Sequence, residues 1–286
     1  MTRRFLTIAC EGAMLAATLD VPDGEVRAGL LIVTGGNEVR AGAWNGQALL
    51  AARLAANGFA VLRFDRRGCG DSEGENAGFT GSAADIRAAL ARFRAEVPGM
   101  ARVVGWGNCD AASALMLGGG LGCDGLVLSN PWTYGPVAEE AAEAPAPMSS
   151  AELRAHYRAR LLNPAAVLRV LRGEVALGGL VRSLLGVLRK APPPSSLAQD
   201  MARGLAGFGG PVALLVAERD RTGQAFLAGW DKADPRLAVC AGASHSFVEA
   251  EARGWLERML EGSLVDPGHH EGSLVDPDQQ TTPGGR

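Results

Sequence analysis

Paired cysteines are missing from this 286-residue chain. Its five cysteines, Cys10, Cys69, Cys109, Cys123 and Cys240, are odd in number, widely spaced and without a C-x-x-C pair. That pattern argues against a disulfide framework and a structural zinc site, and points to a reducing, cytoplasmic setting. Also missing is an uninterrupted apolar run of about 18 residues, so no integral membrane segment is expected. Residues 1–10 hold only a short apolar run beside Arg3 and Arg4, without the length or cleavage pattern of a secretory leader. Neither sign of charge dominates: 28 Lys and Arg face 31 Asp and Glu, a formal net charge of −3. With no basic stripe, neither nucleic acid nor an anionic membrane surface is the expected partner. No G-x-G-x-x-G or Walker pattern accompanies the Gly-Gly loop at 34–37, which argues against a nucleotide loop there. Histidine is scarce, with four in all, so few residues compete for the role of a base.

What is present is a large apolar fraction, 47% against 21% charged, sufficient for a sizeable core. Residues 4–9 and 14–19 read as a hairpin turned at Glu11 and Gly12. Short buried runs at 29–33, 59–64, 102–106 and 125–128 then alternate with helical spacing at 47–57, 83–94 and 110–117. That alternation is the signature of a mainly parallel sheet with crossover helices. It breaks over residues 131–205, where Ala/Glu/Arg/Leu-rich helical sequence is punctuated by Pro145, Pro147 and Pro164 and closed by Pro192–Pro194. A stretch of that length inside a compact sheet protein reads as a helical cap. Sheet rhythm resumes with strands at 212–216 and 237–240 and helices at 224–230 and 247–260. The expected domains are therefore an α/β core over 1–130 and 206–260, a helical cap over 131–205, and a tail over 261–286. The tail repeats EGSLVDP at 261–267 and 271–277; with so little apolar content it is expected to be disordered. His269 and His270 fall in it and read as solvated.

The densest chemical signal is the run from Arg102 to Ser113. A buried strand leads into Gly107-Asn108-Cys109-Asp110-Ala111, and a helix follows. This is the small-x-nucleophile-x-small logic of a strained strand-to-helix elbow, with a cysteine as the nucleophile. Flanking residues two before and two after must be small because the turn is tight. The helix N-terminus directs free N–H groups at the sulfur, which favours thiolate. Asp110, directly after it, opposes that by like-charge repulsion, unless its carboxylate sits in the first helical turn. The expectation is a thiol that keeps its proton until a histidine accepts it.

His245, in a Gly-containing loop between the last strand and the last helix, is the candidate base; His156 reads as a helix-surface residue. The acid that orients the base follows the strand at 212–216. Asp220 lies in the loop beyond that strand and is preferred; Glu218, nearer the strand, is the alternative. The order nucleophile, acid, base is that of an α/β-hydrolase triad. An oxyanion hole is expected from the backbone N–H groups of Asp110 and of Gly36, in the Gly-rich loop after residues 29–33.

Thr34-Gly-Gly-Asn37, the turn Asp65-x-Arg67-Gly68-x-Gly70-x-Ser72, the elbow, Asp220 and His245 together resemble the α/β-hydrolase superfamily. The resemblance spans residues 5–260. More narrowly, the loop from Gly35 to Gly42 and the Cys109-Asp-Ala-Ala-Ser113 elbow are similar to the exosortase A system-associated hydrolase 1 group, encoded beside bacterial exopolysaccharide and protein-sorting genes. Cysteine at the elbow is also similar to dienelactone hydrolases, which lack so long a helical insertion. Two positions depart from the superfamily pattern: Thr34 stands where histidine is common, and Ala111 where glycine is. The resemblance implies an α/β-hydrolase fold, a mostly parallel sheet of about eight strands with helices on both faces and a cap. It implies hydrolysis of an ester, thioester or lactone through a Cys109–His245–Asp220 triad, a small-molecule acyl substrate and no metal or organic cofactor. An acyltransferase using the same residues, or a non-catalytic binding protein on the same fold, are the alternatives.

Overall fold

The computed structural model describes residues 1–134 and 196–265. In chain order the elements are β1 (Thr2–Cys10), β2 (Ala13–Val21), β3 (Ala28–Val33), α1 (Gly46–Ala56), β4 (Phe59–Phe64), α2 (Ala83–Glu96), β5 (Val103–Asn108), α3 (Asp110–Leu117) and β6 (Gly125–Ser129). After the undescribed stretch come α4 (Ser196–Ala206), β7 (Val212–Ala217), α5 (Arg221–Gly229), β8 (Leu237–Cys240) and α6 (Ala250–Val265). The eight strands form one sheet in the order β1-β2-β4-β3-β5-β6-β7-β8. Only β1–β2 and β2–β4 pair antiparallel; the remaining pairs are parallel. Every residue of β3, β4 and β7 is buried, as expected of parallel strands covered on both faces. No helix among the described residues is long and apolar enough to cross a membrane.

The topology itself locates a crevice. From β3 the chain crosses through α1 to β4 on one side, and through α2 to β5 on the other side of β3. Loops leaving β3 and β5 therefore diverge at a topological switch point, where open parallel sheets bind ligands at the carboxyl ends of their strands. The Gly35–Gly36 turn leaves β3 and Cys109 leaves β5, and Val33 lies directly opposite Gly107 in the register.

Two boundaries differ from the sequence reading. Residues 198–205, assigned to the cap, lie in α4, whose Ala198, Met201 and Leu205 are buried. The helix passes so close to α3 that a Cβ at Gly204 would lie 2.2 Å from the Met116 carbonyl oxygen. Residues 135–195, the rest of the expected cap with His156 in it, lie outside the described residues. At the other end, the first repeat copy is not wholly tail, because α6 runs on through Glu261 to Val265. Leu256, Leu260 and Leu264 recur at i+4 and form one buried stripe. Arg102 donates from Nε to the Leu264 carbonyl at 3.1 Å. A single leucine in helical phase with its predecessors thus recruits a polar segment to the core. The second copy, His269 and His270 lie outside the described residues.

Candidate active site

Cys109 sits between β5 and α3 with φ 63° and ψ −127°, a conformation that a residue with a side chain adopts only when its surroundings force it. The forcing is visible. Cys109 N–H donates to the Ser129 carbonyl of the neighbouring strand at 2.9 Å, while its own carbonyl accepts from Ser113 N–H and Trp132 N–H, each at 3.3 Å. A Cβ at Gly107 would lie 2.7 Å from the Ala111 carbonyl carbon, and one at Gly35 2.7 Å from the Asn108 carbonyl oxygen. Glycine at 107 and 35 is therefore a steric requirement of the elbow. Cys109 is half-buried, whereas Cys10, Cys69, Cys123 and Cys240 are buried. Burial pushes the thiols of those four up, that of Cys10 to about 11 and that of Cys123 to about 12.

The histidine arrives from the other side of the sheet's edge. His245 Nδ1 lies 3.0 Å from Asp220 Oδ1; a carboxylate only accepts, so the ring carries its proton on Nδ1 and turns Nε2 away. Cys109 acts on the same imidazole, favouring its protonated form. Asp220 follows β7, is 7% exposed, and with its second oxygen accepts from Gly223 N–H at 2.8 Å as the N-cap of α5. That cap explains why α5 begins earlier than the sequence spacing suggested. Glu218, the alternative acid, spends its carboxylate on Gly242 N–H at 2.7 Å and so braces the His245 loop without touching the ring.

Burial works against the imidazolium, yet the hydrogen bonds from Asp220 and Cys109 outweigh it and lift the His245 pKa from 6.5 to about 10. That shift favours the imidazolium, the form the ring takes when it accepts a proton. The repulsion anticipated from Asp110 is absorbed locally: its Oδ2 lies 3.3 Å from Nη2 of the buried Arg66.

Asp110 also changes the expected oxyanion hole. Its own N–H opens α3 and has no intrahelical partner. Gly36 N–H, the other expected donor, is instead given to the Asp110 carboxylate at 2.6 Å, and Arg66 Nη2 donates to the Gly36 carbonyl.

Sequence reasoning missed two residues that hold the histidine loop. Asn130, fully buried after β6 with φ 45°, accepts from Ala217 N–H at 2.8 Å. It donates to Asn108 Oδ1 at 3.0 Å and to the His245 carbonyl at 3.2 Å. Asn108 Nδ2 donates to that same carbonyl at 3.2 Å. The pair ties β5, β6, β7 and the His245 loop into one unit. The available signal was a polar residue closing the apolar run of β6, immediately before Pro131. A small cavity of about 70 Å³ opens beside Asn108 and Ser246, walled by Glu38, Gln47, Trp44 and Trp106. Burial raises the Glu38 carboxyl above its ordinary range, opposed by Ala43 N–H and by the charge of His245.

The turn Asp65–Ser72 is held by its own hydrogen bonds. Asp65 accepts from Arg40 N–H at 2.5 Å and from Asp71 N–H at 3.1 Å, and Ser72 Oγ donates to the Asp65 carbonyl at 2.7 Å. It shapes the loop from Gly35 to Gly42 beside the crevice.

Comparison with known proteins gives one family, described as the alpha/beta hydrolase family, which matches residues 30–258. No curated protein matches the chain. Among solved structures, an alpha-beta serine hydrolase homologue from Coxiella burnetii is similar at 17% identity, covering 93% of this chain and 97% of its own, with a TM-score of 0.54. The alpha/beta hydrolase GrgF from a Penicillium species shares 17% identity over 91% of this chain and 97% of its own, TM-score 0.59. An esterase from Pyrococcus furiosus shares 16% over 92% and 89%, TM-score 0.56. At such identities these likenesses speak for the fold.

Proposed function

The chain belongs to the α/β hydrolase family, and we propose on that footing that it cleaves a carboxylic thioester, ester or lactone through a covalent acyl-cysteine. Cys109 is the nucleophile, His245 the proton carrier and Asp220 the acid that orients it. The observation that carries this reading is the single imidazole shared by two groups, Asp220 Oδ1 at 3.0 Å from Nδ1 and the Cys109 side chain on the same ring, at a positive-φ elbow.

The steps follow from those roles. Sulfur attacks the acyl carbon as its proton passes to His245. The carbonyl π pair moves onto oxygen, which Asp110 N–H receives at the positive end of α3. Collapse of the tetrahedral species expels the alkoxide or thiolate leaving group, and His245 protonates it. The neutral imidazole then takes a proton from water, whose oxygen attacks the acyl-cysteine; the second collapse releases the acid and His245 returns its proton to the departing sulfur. Asp220 keeps Nδ1–H in place throughout and offsets the imidazolium charge.

The likeness of the loop from Gly35 to Gly42 and of the elbow to the exosortase-associated group supports placing this activity beside exopolysaccharide assembly. Five free thiols support a reducing, cytoplasmic site of action. The test uses p-nitrophenyl acetate and an acetyl thioester with intact-mass detection. The expected result is an acetylated Cys109 that turns over, abolished in Cys109→Ala. Turnover by Cys109→Ala at the parent rate would refute the assignment. A stable adduct released only by an added alcohol would convert the reading to acyl transfer, and no adduct at all to a binding role.

A further inference from the structure

The Asp110 carboxylate occupies the place that a substrate oxygen needs. Asp110 Oδ1 accepts Gly36 N–H at 2.6 Å, and Gly36 belongs to a turn packed on the nucleophile: a Cβ at neighbouring Gly35 would lie 3.6 Å from the Cys109 Cβ. The other expected donor is Asp110's own N–H, at the start of α3. One residue thus offers one donor of the hole through its backbone and covers the other through its side chain.

A second observation offers that carboxylate a place to go. Arg66 is 2% exposed, and two of its nitrogens, Nε and Nη1, are buried with no hydrogen-bond partner among the described residues. Its remaining nitrogen, Nη2, already lies 3.3 Å from Asp110 Oδ2 and donates to the Gly36 carbonyl. A buried guanidinium with spare donors beside a carboxylate is a receiver for it. The Gly36 carbonyl stays tethered to Arg66 in either arrangement, so the turn does not depend on Asp110 to remain in place.

We propose that Asp110 is a positioning residue that plugs the oxyanion hole at rest: its carboxylate holds Gly36 N–H until a carbonyl oxygen displaces it toward Arg66. This rests on Cys109 as nucleophile and deepens that reading. The plug gives selectivity. Only an acyl oxygen that competes with a charge-assisted hydrogen bond gains both donors, so weakly polarised carbonyls are turned away. It also keeps the resting N–H satisfied, where an open donor pair would attract adventitious anions.

A trifluoromethyl ketone tests this without requiring turnover. The Cys109 sulfur adds to the ketone carbon as its proton passes to His245, the π pair moves to oxygen, and the resulting oxyanion occupies the hole. Binding is read by fluorine NMR on the full chain. Alkylation of Cys109 by iodoacetamide, which forms no oxyanion, is followed in parallel to account for any change in the sulfur itself. Removing the plug in Asp110→Ala is expected to tighten ketone binding about 10- to 100-fold, the worth of one charge-assisted hydrogen bond. Asp110→Asn, which keeps a neutral acceptor, falls between that variant and the parent. Alkylation rates should change far less than ketone affinity. Weaker ketone binding in both variants would make Asp110 a brace and overturn the proposal, as would a gain matched by an equal gain in alkylation. Failure of the parent to form any ketone adduct that Cys109→Ala abolishes would instead overturn the cysteine mechanism. An adduct whose affinity ignores Asp110 overturns the plug alone.

Discussion

Replacing Asn130 with aspartate tests how firmly the histidine loop is held, because the change is isosteric and suits the positive φ of 45°. The Oδ1 acceptor for Ala217 N–H at 2.8 Å is retained. The two donor contacts, to Asn108 Oδ1 at 3.0 Å and the His245 carbonyl at 3.2 Å, become contacts between oxygens. Each lost hydrogen bond is worth about 1 kcal/mol, and a buried acceptor facing acceptors adds a desolvation and repulsion cost of about 1–3 kcal/mol. The expected loss of stability is therefore about 3–5 kcal/mol at neutral pH. Urea unfolding followed by tryptophan fluorescence reads it as a lower midpoint at constant slope.

Catalysis should suffer through position. The His245 carbonyl keeps Asn108 Nδ2 at 3.2 Å but loses its second tether, and a displacement of about 1 Å at the ring costs up to about 10²-fold in kcat. The fall should appear in kcat with KM little changed, because Asn130 is fully buried. The sign with pH is also fixed. Burial raises the pKa of the introduced carboxyl above its unfolded value, so the defect is full above that pKa and shrinks as pH falls and one O–H donor returns. A variant with parental midpoint and kcat at neutral pH would refute the clamp.

Three further outcomes follow from the site. Asp220→Asn is expected to lower kcat on the order of 10³- to 10⁴-fold by releasing the ring's tautomer and charge partner, while Glu218→Gln leaves kcat unchanged; steady-state rates on p-nitrophenyl acetate decide, and equal losses would make Glu218 a partner of the ring. The His245 pKa is raised from 6.5 to about 10, so its stabilisation is fully present below the lower value and lost as pH climbs through the upper one. Unfolding of the parent and of His245→Gln, compared across that window, should converge at its alkaline end, and a gap that widens with pH would contradict the shift. Gly107→Ala would press a Cβ to 2.7 Å from the Ala111 carbonyl carbon, an overpacking expected to cost about 1–3 kcal/mol or more and to show as a lower thermal midpoint; an unshifted melt would mean the elbow relaxes freely.

What was legible in the chain was what repeats or stays local. Buried runs such as those of β3 and β7 announce a parallel sheet, since each residue is apolar or small and no polar alternation is needed. The elbow is readable because its steric demands fall within five consecutive residues, Gly107 to Ala111. Asp220 and His245 were found because each closes a strand at an edge the topology fixes. The C-terminus of α6 was lost for the opposite reason: Leu264 alone, four residues after Leu260, extends the buried stripe, and one apolar residue in a polar repeat carries no period of its own. Asn108 and Asn130 are 22 residues apart and meet a carbonyl 115 residues beyond the second; their side-chain hydrogen bonds exist only once four elements are assembled, and no local pattern encodes them. The bond from Gly36 to Asp110 belongs to the same class, spanning 74 residues. Sequence analysis had already placed Gly36 and Asp110 beside the candidate nucleophile, yet whether Asp110 repels the sulfur or covers a donor depends on where Gly36 and Arg66 stand. Charge at a site is read from composition, but what the charge does is set by the partner it reaches, and that partner is chosen by the fold.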